Sequence, residues 1–375
     1  MNRKDVSEIR RRFVHDRNNI TAIRGCYVSR DGEIISTFAH AIQGIPQEEE
    51  EKYLAIFRKS LSGDPGRNLL SVDFTPRQVM EDEHYRLLNR LRDTALTDDE
   101  SVREFFNRVI ASRHAEENTL ILLAHDGYDV PYRDANGEKD PERSADVFRY
   151  LLCAICPVAL SKPTLSYYAA EKEFHSREPD WVVGAPVLGF MFPMFEDRQC
   201  NLYGAMMYTK DTGDANAEFV NTVFGTEPTM PADMQKDTFN HILEDALGEE
   251  CTLAAVQSVQ DMVLARNEEA KEEKQSPVPV FSSDDVRRAL VDGGVSEQGA
   301  EAFGHRFEDE LGTNTVLSGS NVAPTRQFEV KTPSVQIRVA PDRSDLVETR
   351  IIDGHQYILI RADEEVTVNG VAVRL

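Results

Sequence analysis

The clearest pattern in the chain is an uncharged run at residues 119–124, followed at once by the polar segment 125–131. Six consecutive residues without a charge are typical of a strand that is covered on both faces. The segment that follows contains two aspartates, a glycine and a proline, and we expect it to be a loop at the end of that strand. Because binding and catalytic groups are concentrated in such loops, the middle third of the chain is the first place to look for a site.

The part of the chain before this run alternates between helical and strand spacing. Strand spacing at 21–28 and at 33–38 flanks Asp31-Gly32, and an Asp-Gly pair between two such segments is a good hairpin signal. A further short strand is expected at 68–74. Helices are predicted at 6–13, from 47 to the glycine and proline group at 63–66, at 77–96 and at 101–112.

Strand-like segments dominate the centre, at 148–156, 164–170, 180–192 and 201–208. The connections between the later segments are too short for crossover helices, which favours antiparallel pairing. Helical spacing returns at 216–273 and ends in a polar, proline-containing stretch that is typical of a linker. Beyond it, two short helices are predicted around 283–292 and 298–311, followed by strands at 327–331, 335–339, 349–352, 356–361 and 366–375.

These elements predict an α+β protein with a mixed or largely antiparallel central sheet flanked by helices, plus a small C-terminal domain of a helix pair and β-structure. The predicted main domain spans 1–274, with a helical and hairpin part at 1–116, the central sheet at 117–210 and a helical part at 211–274. The predicted linker is 275–281 and the small domain is 282–375. A chain of 375 residues is long enough for more than one core.

The charge balance excludes some partners. Acidic residues number 65 against 42 basic ones, which gives a net charge of -23. Because this charge repels a phosphate backbone and an anionic membrane surface, sequence-independent nucleic-acid binding is disfavoured. Arg10, Arg11, Arg12 and Arg17 could still form a local basic patch, although solvated helix ends are a simpler interpretation of them.

The compartment is predicted from what the chain lacks. No apolar run approaches the length of about 20 residues needed to cross a bilayer, and the first residues are charged and amphipathic rather than signal-like. Five cysteines are an odd number in a large chain, which fits reduced thiols better than a disulfide framework. We therefore expect a cytoplasmic protein with no membrane partner.

The candidate catalytic residues are His125, Asp126 and Asp129, with His175 as a further candidate that the sheet could bring near. Imidazole and carboxylate groups on one short loop could ligate a divalent metal or provide a general base. Their spacing matches no known zinc motif. A structural alternative is that the two aspartates cap a turn that Gly127 opens.

A second motif, Cys153-Ala-Ile-Cys156, has the two-residue gap of a redox or zinc pair. Redox pairs lie at exposed helix N-termini, where the thiol pKa is lowered, whereas this pair lies in an apolar strand-like run. Positions three apart in a strand point to opposite faces, so the two sulfurs should diverge. Two buried small hydrophobic side chains are the better interpretation.

The candidate binding residues are Trp181, Phe190, Phe192 and Phe195, in a segment rich in methionine and phenylalanine. They could line a ligand pocket or form an adaptable protein-binding surface, and a plain core strand is the alternative. Prolines at 186 and 193 favour an edge strand, where another chain could dock.

The anchoring motifs of several enzyme classes are missing from the sequence. It contains no Gly-x-Gly-x-x-Gly, no Walker-type Gly-Lys-Ser/Thr and no Gly-x-Ser-x-Gly. Dinucleotide, P-loop nucleotide and α/β-hydrolase functions therefore lack their anchoring element. We predict no cofactor and assign no metal ligands.

Several segments together resemble an uncharacterised bacterial family, a domain of unknown function found widely in Gram-positive anaerobes. The matching segments are 23–28, 57–63, 125–131, 153–163, 180–184, 248–251 and 328–333, so the resemblance spans nearly the whole chain. It implies a bacterial cytoplasmic setting, and it transfers no activity, cofactor or catalytic residue.

The preferred functional hypothesis is a non-enzymatic binding or regulatory protein that engages a protein partner. It rests on the missing active-site signatures, the aromatic segment after Trp181 and the appended small domain. The alternative is a metal-dependent hydrolase centred on the segment from His125 to Asp129. The substrate, the identity of any partner and the oligomeric state are not readable from the residues.

Overall fold

The chain forms two compact units, Met1–Pro231 and Ala232–Leu375. A computed structural model describes residues 1–113, 116–133, 139–272, 279–313, 315–324, 327–362, 366–368 and 371–373. Helices and antiparallel strands are both abundant, so the α+β class predicted from the sequence is confirmed.

An eight-stranded sheet forms the centre of the first unit, and its neighbouring strands pair antiparallel. The strands of this unit are β1 Ala22–Val28, β2 Ile34–Ala41, β3 Leu69–Asp73, β4 Asn118–Arg133, β5 Lys139–Leu160, β6 Thr164–Tyr168, β7 Glu173–Arg177, β8 Trp181–Val183, β9 Leu188–Phe192, β10 Met194–Glu196, β11 Gln199–Asn201 and β12 Gly204–Thr209. The order in the sheet is β2-β1-β4-β5-β9-β12-β3, and β8 also pairs with β5.

Helices cover both faces of this sheet. They are α1 Arg3–Arg10, α2 Gln47–Lys59, α3 Pro76–Glu81, α4 Glu83–Asp93, α5 Asp99–Ala111 and α6 Ala217–Phe219, which continues into a π-helical turn at Val220–Phe224. On one face α1 and α2 pack their apolar side chains against the strands. On the other face α4, α5 and the 219–224 segment do the same. The first unit therefore has a buried core on each side of one sheet.

Polar residues set where these helices begin. The Asp82 side chain accepts the backbone N–H groups of His84 and Tyr85, so α4 starts there instead of continuing from α3. The single helix predicted at 77–96 is consequently two helices, because an N-cap aspartate supplies acceptors for a new first turn. Thr75, with Pro76 at the first helical position, caps α3 in the same way.

The double coverage explains the sequence of β4. Ile121 and Leu123 lie in one core and Leu120, Leu122 and Ala124 lie in the other, as expected for a strand that is buried on both faces. The predicted loop at 125–131 is not a loop, since β4 continues to Arg133 and pairs with β5 throughout. Cross-strand pairing overrides the turn preference of the Asp-Gly pair, and irregular register appears only around Pro131.

The predicted strand 164–170 also differs from expectation. Its observed counterpart β6 lies outside the central sheet, and among the described strands it pairs only with β7. The predicted strand 180–192 is two strands, β8 and β9, which pair with successive stretches of β5. A short hairpin therefore projects from the chain between the end of β5 and the start of β8.

The second unit is built on a helical core. Its helices are α7 Ala232–Leu247, α8 Leu253–Glu272, α9 Ser283–Asp292, α10 Glu297–Leu311 and α11 Gly319–Val322. Its strands are β13 Val280–Ser282, β14 Val316–Ser318, β15 Phe328–Lys331, β16 Gln336–Val339, β17 Val347–Ile352, β18 His355–Ile360, β19 Val366–Val368 and β20 Val371–Val373, and they form two-stranded pairs. Ser282 and Asp285 form a capping box at the start of α9, as the Ser-Ser-Asp-Asp pattern indicates.

The division into units falls after Pro231, whereas the sequence predicts a linker at 275–281. Residues 275–278 of that predicted linker lie outside the described part of the chain. The physical reason is the packing of α7 and α8. Phe239 of α7 lies edge-on to Phe303 of α10, with ring centroids 5.8 Å apart, and Val263 of α8 belongs to the same core. Helical spacing alone does not show which core a helix joins.

Within the described residues, no helix combines the length and apolar character that crossing a membrane requires.

The close approach of β9 to β5 predicts that position 189 tolerates only glycine. A Cβ atom at this position would lie 2.4 Å from the carbonyl oxygen of Cys153 and 3.0 Å from the Cβ of Ser60. We expect Gly189→Ala to lower the free energy of unfolding by about 2 kcal/mol or more, since a backbone carbonyl cannot move aside in a packed sheet. Urea denaturation followed by circular dichroism measures this change.

Gly44→Ala is the matched control, because Gly44 is exposed and a Cβ atom there has nothing within 4 Å. Its free energy of unfolding should stay within about 0.5 kcal/mol of the wild-type value. Equal stability of the two variants would contradict the packing described for β9.

Candidate functional site

Asp126 is completely buried and lies at the centre of a hydrogen-bond network. Its Oδ2 accepts from Nε of Arg12 at 2.9 Å and from the hydroxyl of Tyr150 at 2.6 Å. Its Oδ1 accepts from Nη2 of Arg12 at 3.1 Å and from the backbone N–H of Asn19 at 2.7 Å. A carboxylate offers about four lone-pair positions, and all are used here. Asp126 therefore has no acceptor position left for a metal ion or a substrate.

The protons of this network are fixed by the surroundings. Burial and the adjacent carboxylate raise the pKa of Tyr150 well above its ordinary value. The phenol therefore stays protonated and donates a hydrogen bond to Asp126. Arg12 is only 11% exposed, so its ion pair with Asp126 is shielded from solvent. The arrangement holds the segment after α1 against β4, which is a structural role.

His125 points to the opposite face of the sheet from Asp126. Strand alternation places it on the side of Leu123, whereas Asp126 lies on the side of Ala124. Burial lowers the pKa of His125 below its ordinary value, and the positive charges of Arg149 and Arg92 lower it further against the opposing effect of Asp126. Its Nε2 is buried and has no hydrogen-bond partner among the described residues.

The other two candidate catalytic residues lie elsewhere. Asp129 is exposed on β4. His175 is on β7, where its Nε2 lies 2.8 Å from a carboxylate oxygen of Glu171 and 3.9 Å from one of Glu173. The structure therefore does not assemble these four residues into one acid–base or metal-binding group, because a strand sends neighbouring side chains to opposite faces. Across the described ranges, no group of three or more His, Cys, Asp or Glu side chains is arranged to hold a metal ion.

The two cysteines of the Cys-x-x-Cys motif also diverge. Cys153 lies in the core on one face of the sheet and Cys156 in the core on the other. Burial raises the pKa of Cys156 to about 12 and that of Cys153 still further. Both thiols are therefore protonated and poor nucleophiles or ligands.

The aromatic candidates divide into buried and exposed residues. Phe190, Phe192 and Phe195 are fully buried, and β9 lies between β5 and β12 rather than at an edge. The edge-strand prediction therefore needs correction, because flanking prolines leave the β9 backbone free to pair on both sides. These three side chains cannot meet a partner from the surface. Trp181 is different, since it lies on the short strand β8 and is 59% exposed.

Trp181 belongs to a projecting segment that we call the arm, residues 160–183. The arm contains the β6–β7 hairpin, in which Leu165 pairs with Ser176 and Tyr167 pairs with Phe174. Paired residues share a face of a hairpin, and the Tyr167 and Phe174 rings are 5.2 Å apart. Leu165, Tyr167 and Phe174 thus form one apolar face, and they are 74%, 55% and 68% exposed.

The opposite face of the hairpin is polar. Ser166 pairs with His175 and Thr164 pairs with Arg177, and the Tyr168 ring lies 5.5 Å from the His175 ring. The hairpin is therefore amphipathic, although neither face packs into a core. The sequence pattern predicts a strand near 164–170 but not its partner, because Phe174 is the single large apolar residue among charged residues at 171, 173 and 177. The signal that could have found it is the alternation at 165 and 167 facing Phe174 across a short turn.

The clefts in the described part of the first unit include two that differ in their lining residues. The larger has a volume of about 880 Å³ and the smaller about 620 Å³. The larger is lined mainly by the ends of α5 and β9 and by the loop after β12. Two of its charged lining residues are basic, Arg113 and Lys210, and the others are acidic: Glu116, Glu117, Asp211, Asp214 and Glu218. Neither Trp181 nor the 125–131 segment lines it. The smaller cleft is lined by residues of α1, by Arg11, Arg12 and Arg17 from the segment after α1, and by Tyr128.

Comparison with known families identifies the chain at the level of a family. A family model described as a domain of unknown function, DUF4317, matches residues 1–371. The chain belongs to this family. No curated protein and no solved structure matches the DUF4317 chain. The resemblance noted in the sequence to an uncharacterised full-length family is confirmed.

The role of Asp126 in this DUF4317 protein is testable by substitution. Asp126→Asn leaves the buried Arg12 guanidinium without a counter-charge, so we expect the free energy of unfolding to fall by about 3–5 kcal/mol. Asp129→Asn is the matched control, since it removes an exposed carboxylate three residues along the same strand, and a change within about 0.5 kcal/mol is expected. Urea denaturation measures both values, and similar losses in the two variants would argue against a structural role for Asp126.

Thiol reactivity tests the burial of the cysteines. In the folded DUF4317 protein, Ellman's reagent at mildly alkaline pH should modify the exposed Cys200 first and the half-buried Cys251 more slowly. Cys26, Cys153 and Cys156 should react only after denaturation, because they are buried and their pKa values are raised. Modification of Cys153 as fast as Cys200 in the folded protein would contradict this arrangement.

Proposed function

We propose that the protein is a non-enzymatic binding protein of the bacterial cytoplasm that docks a partner protein through the apolar face of its arm. The observation that carries this proposal is the exposure of Leu165, Tyr167 and Phe174 on one face of a projecting hairpin. The family assignment is consistent with this proposal but brings no activity with it.

The energetics of the hairpin favour an occupant. A two-stranded hairpin alone is marginally stable in water and gains stability when an apolar face is covered. Complete burial of a large apolar side chain contributes about 1.5–3 kcal/mol, and three such side chains are more than half exposed here. Covering them would therefore stabilise both the hairpin and the complex.

The composition of the arm suits a protein partner. Aromatic residues are enriched at protein interfaces and often dominate the binding energy. Besides Tyr167 and Phe174, the arm exposes Tyr168 and Trp181, and Leu160, Val182 and Val183 are exposed around its base. Tyrosine and tryptophan suit such a surface because each combines a large apolar body with a polar atom that tolerates water.

Charge favours a protein over a membrane or a nucleic acid. The arm carries both signs: Lys162, Lys172 and Arg177 against Glu171, Glu173, Glu178 and Asp180. A membrane-binding or nucleic-acid-binding arm would need an excess of basic residues. The net charge of -23 also makes two copies of the chain repel one another, so a different protein is favoured over a second copy.

The hydrolase alternative gains no support from the geometry. Asp126 has its acceptor positions filled by protein donors, and His125 lies on the other face of the sheet. His175 belongs to the polar face of the arm.

The decisive experiment compares two double variants of the full chain. Leu165→Ser with Phe174→Ser removes two of the three side chains of the apolar face. Met80→Ser with Ile351→Ser is the matched control, because Met80 and Ile351 are 75% and 73% exposed and lie outside the arm. Partners captured from the native host are quantified by mass spectrometry, and the binding of each purified candidate is then measured by calorimetry.

We expect the arm variant to bind the partner about tenfold more weakly or worse, as for interface hot spots, and the control to bind as the wild type does. Both variants should keep the wild-type melting temperature, since the substituted side chains are exposed in the free chain. Equal capture by the arm variant and the wild type would reject the proposal. Sedimentation showing self-association that depends on Leu165 and Phe174 would instead identify a second copy as the occupant.

A further inference from the structure

The smaller cleft has a basic lining that stands out in an acidic protein. Its volume is about 620 Å³, and its lining residues are Arg3, Lys4, Ser7, Glu8, Arg11, Arg12, Arg17 and Tyr128. Five of these eight carry positive charge, while the whole chain has a net charge of -23. Residues 3, 4, 7, 8 and 11 lie on one side of α1 because they recur at helical spacing, and Val6, Ile9 and Phe13 occupy the buried side.

The floor of the cleft is held in place by the protein itself. Arg12 is fixed by Asp126 and donates to the carbonyl oxygen of Gly127 at 3.1 Å. Its guanidinium carbon lies 4.4 Å from the centre of the Tyr128 ring. The Tyr128 hydroxyl donates to Glu8 at 2.7 Å. These contacts preorganise the cleft, which reduces the entropy that a ligand would lose on binding.

The single acidic residue of the lining is already paired. Glu8 forms an ion pair with Arg198, and Arg198 also donates to the carbonyl oxygen of Pro131 at 2.7 Å. Burial is the main cause that raises the pKa of Tyr128 to about 12, so the phenol remains neutral. No unpaired negative charge therefore opposes an anion among the residues that line the cleft.

The basic residues fall into two groups. Arg12 is paired with Asp126, and Arg3 is paired with Asp64 at 2.7 Å. Lys4, Arg11 and Arg17 are exposed, and within the described part of the chain none of their side chains has an ion pair or a hydrogen bond. The cleft thus keeps three uncompensated positive charges at its rim.

We propose that this cleft binds a small molecule carrying a diphosphate group. Guanidinium groups match phosphate oxygens with paired, charge-assisted hydrogen bonds. The hydroxyl of Ser7 provides a further donor within the lining. A diphosphate carries about three negative charges at neutral pH, which balances the charges of Lys4, Arg11 and Arg17.

The size and the charge distribution select this class over larger anions. A volume of about 620 Å³ lies within the usual range for small-molecule sites. A nucleic acid would need an extended basic track, and the charge of -23 over the rest of the chain would repel its backbone. A cleft lined by one sign of charge concentrates a small anion locally even on an acidic protein.

The test is isothermal titration calorimetry of the full chain with inorganic pyrophosphate and, separately, with ADP. The variant Arg11→Gln with Arg17→Gln removes two rim charges from exposed positions. Arg77→Gln with Arg103→Gln is the matched control, since both arginines are exposed on helices of the same unit and neither lines the cleft. Citrate serves as a trivalent anion without phosphate, and a short oligonucleotide and an acidic peptide serve as larger anions.

We expect pyrophosphate to bind the wild type and the control equally, and to bind the Arg11 and Arg17 variant about tenfold more weakly or worse. Equal affinity for pyrophosphate and ADP would indicate that the diphosphate alone is recognised, and tighter binding of ADP would indicate a nucleotide source. Absence of binding at millimolar pyrophosphate, or equal binding by the rim variant, would overturn the proposal. Citrate, oligonucleotide or peptide binding at least as tight as that of pyrophosphate would overturn it as well.

Discussion

The buried ion pair between Arg12 and Asp126 is the constraint on which much of the first unit depends. It ties the segment after α1 to the middle of β4, two elements more than a hundred residues apart in sequence. Asp126 is completely buried and the Arg12 side chain is only 11% exposed, so each charge depends on the other for its stability. The same contact occupies acceptor positions of Asp126 that a metal ion or a substrate would need. It also fixes Arg12 in place at the floor of the basic cleft. A residue that looks catalytic in the sequence thus serves to position the residues around it.

The second organising feature is the sheet that is buried on both faces. Because successive side chains of β4 and β5 point into different cores, any cluster of polar residues along these strands is divided between two environments. This separates His125 from Asp126 and Cys153 from Cys156. Side chains that are adjacent in sequence are therefore poor evidence for a site in such a strand. Among the surfaces described above, the basic cleft beside α1 and the projecting arm lie outside this divided sheet.

The predictable parts of the fold are those with local causes. The hairpin around Asp31 and Gly32 follows from two alternating segments and a turn pair, and the start of α9 follows from its capping residues. The burial of residues 119–124 follows from their lack of charge. Each of these features is decided within a few residues, so the sequence pattern is sufficient.

The features that sequence reasoning missed have long-range causes. The continuation of β4 past Asp126 is decided by pairing with Tyr150 and its neighbours on β5, which outweighs the turn preference of Asp126 and Gly127. The assignment of α7 to the second unit depends on Phe303, which is distant in sequence. The second strand of the arm hairpin, β7, is not predicted because its one large apolar residue, Phe174, lies among charged residues. In the sequence the basic cleft appears only as an arginine cluster. Its positive charge is available to an anion because Glu8 is paired with Arg198, which is distant in sequence.

The uncovered hairpin bears on how a cell would maintain this protein. Exposed apolar surface and unpaired strand edges are the features that make chains aggregate and that chaperones act on, and chaperones and proteases continuously sort such chains in the cell. Leu165, Tyr167 and Phe174 present such a signal on a fully folded chain. For a chain whose arm is covered by a partner, as proposed above, copies made in excess of that partner would be removed by quality control, and the steady-state level of the protein would then follow the supply of the partner rather than its own rate of synthesis.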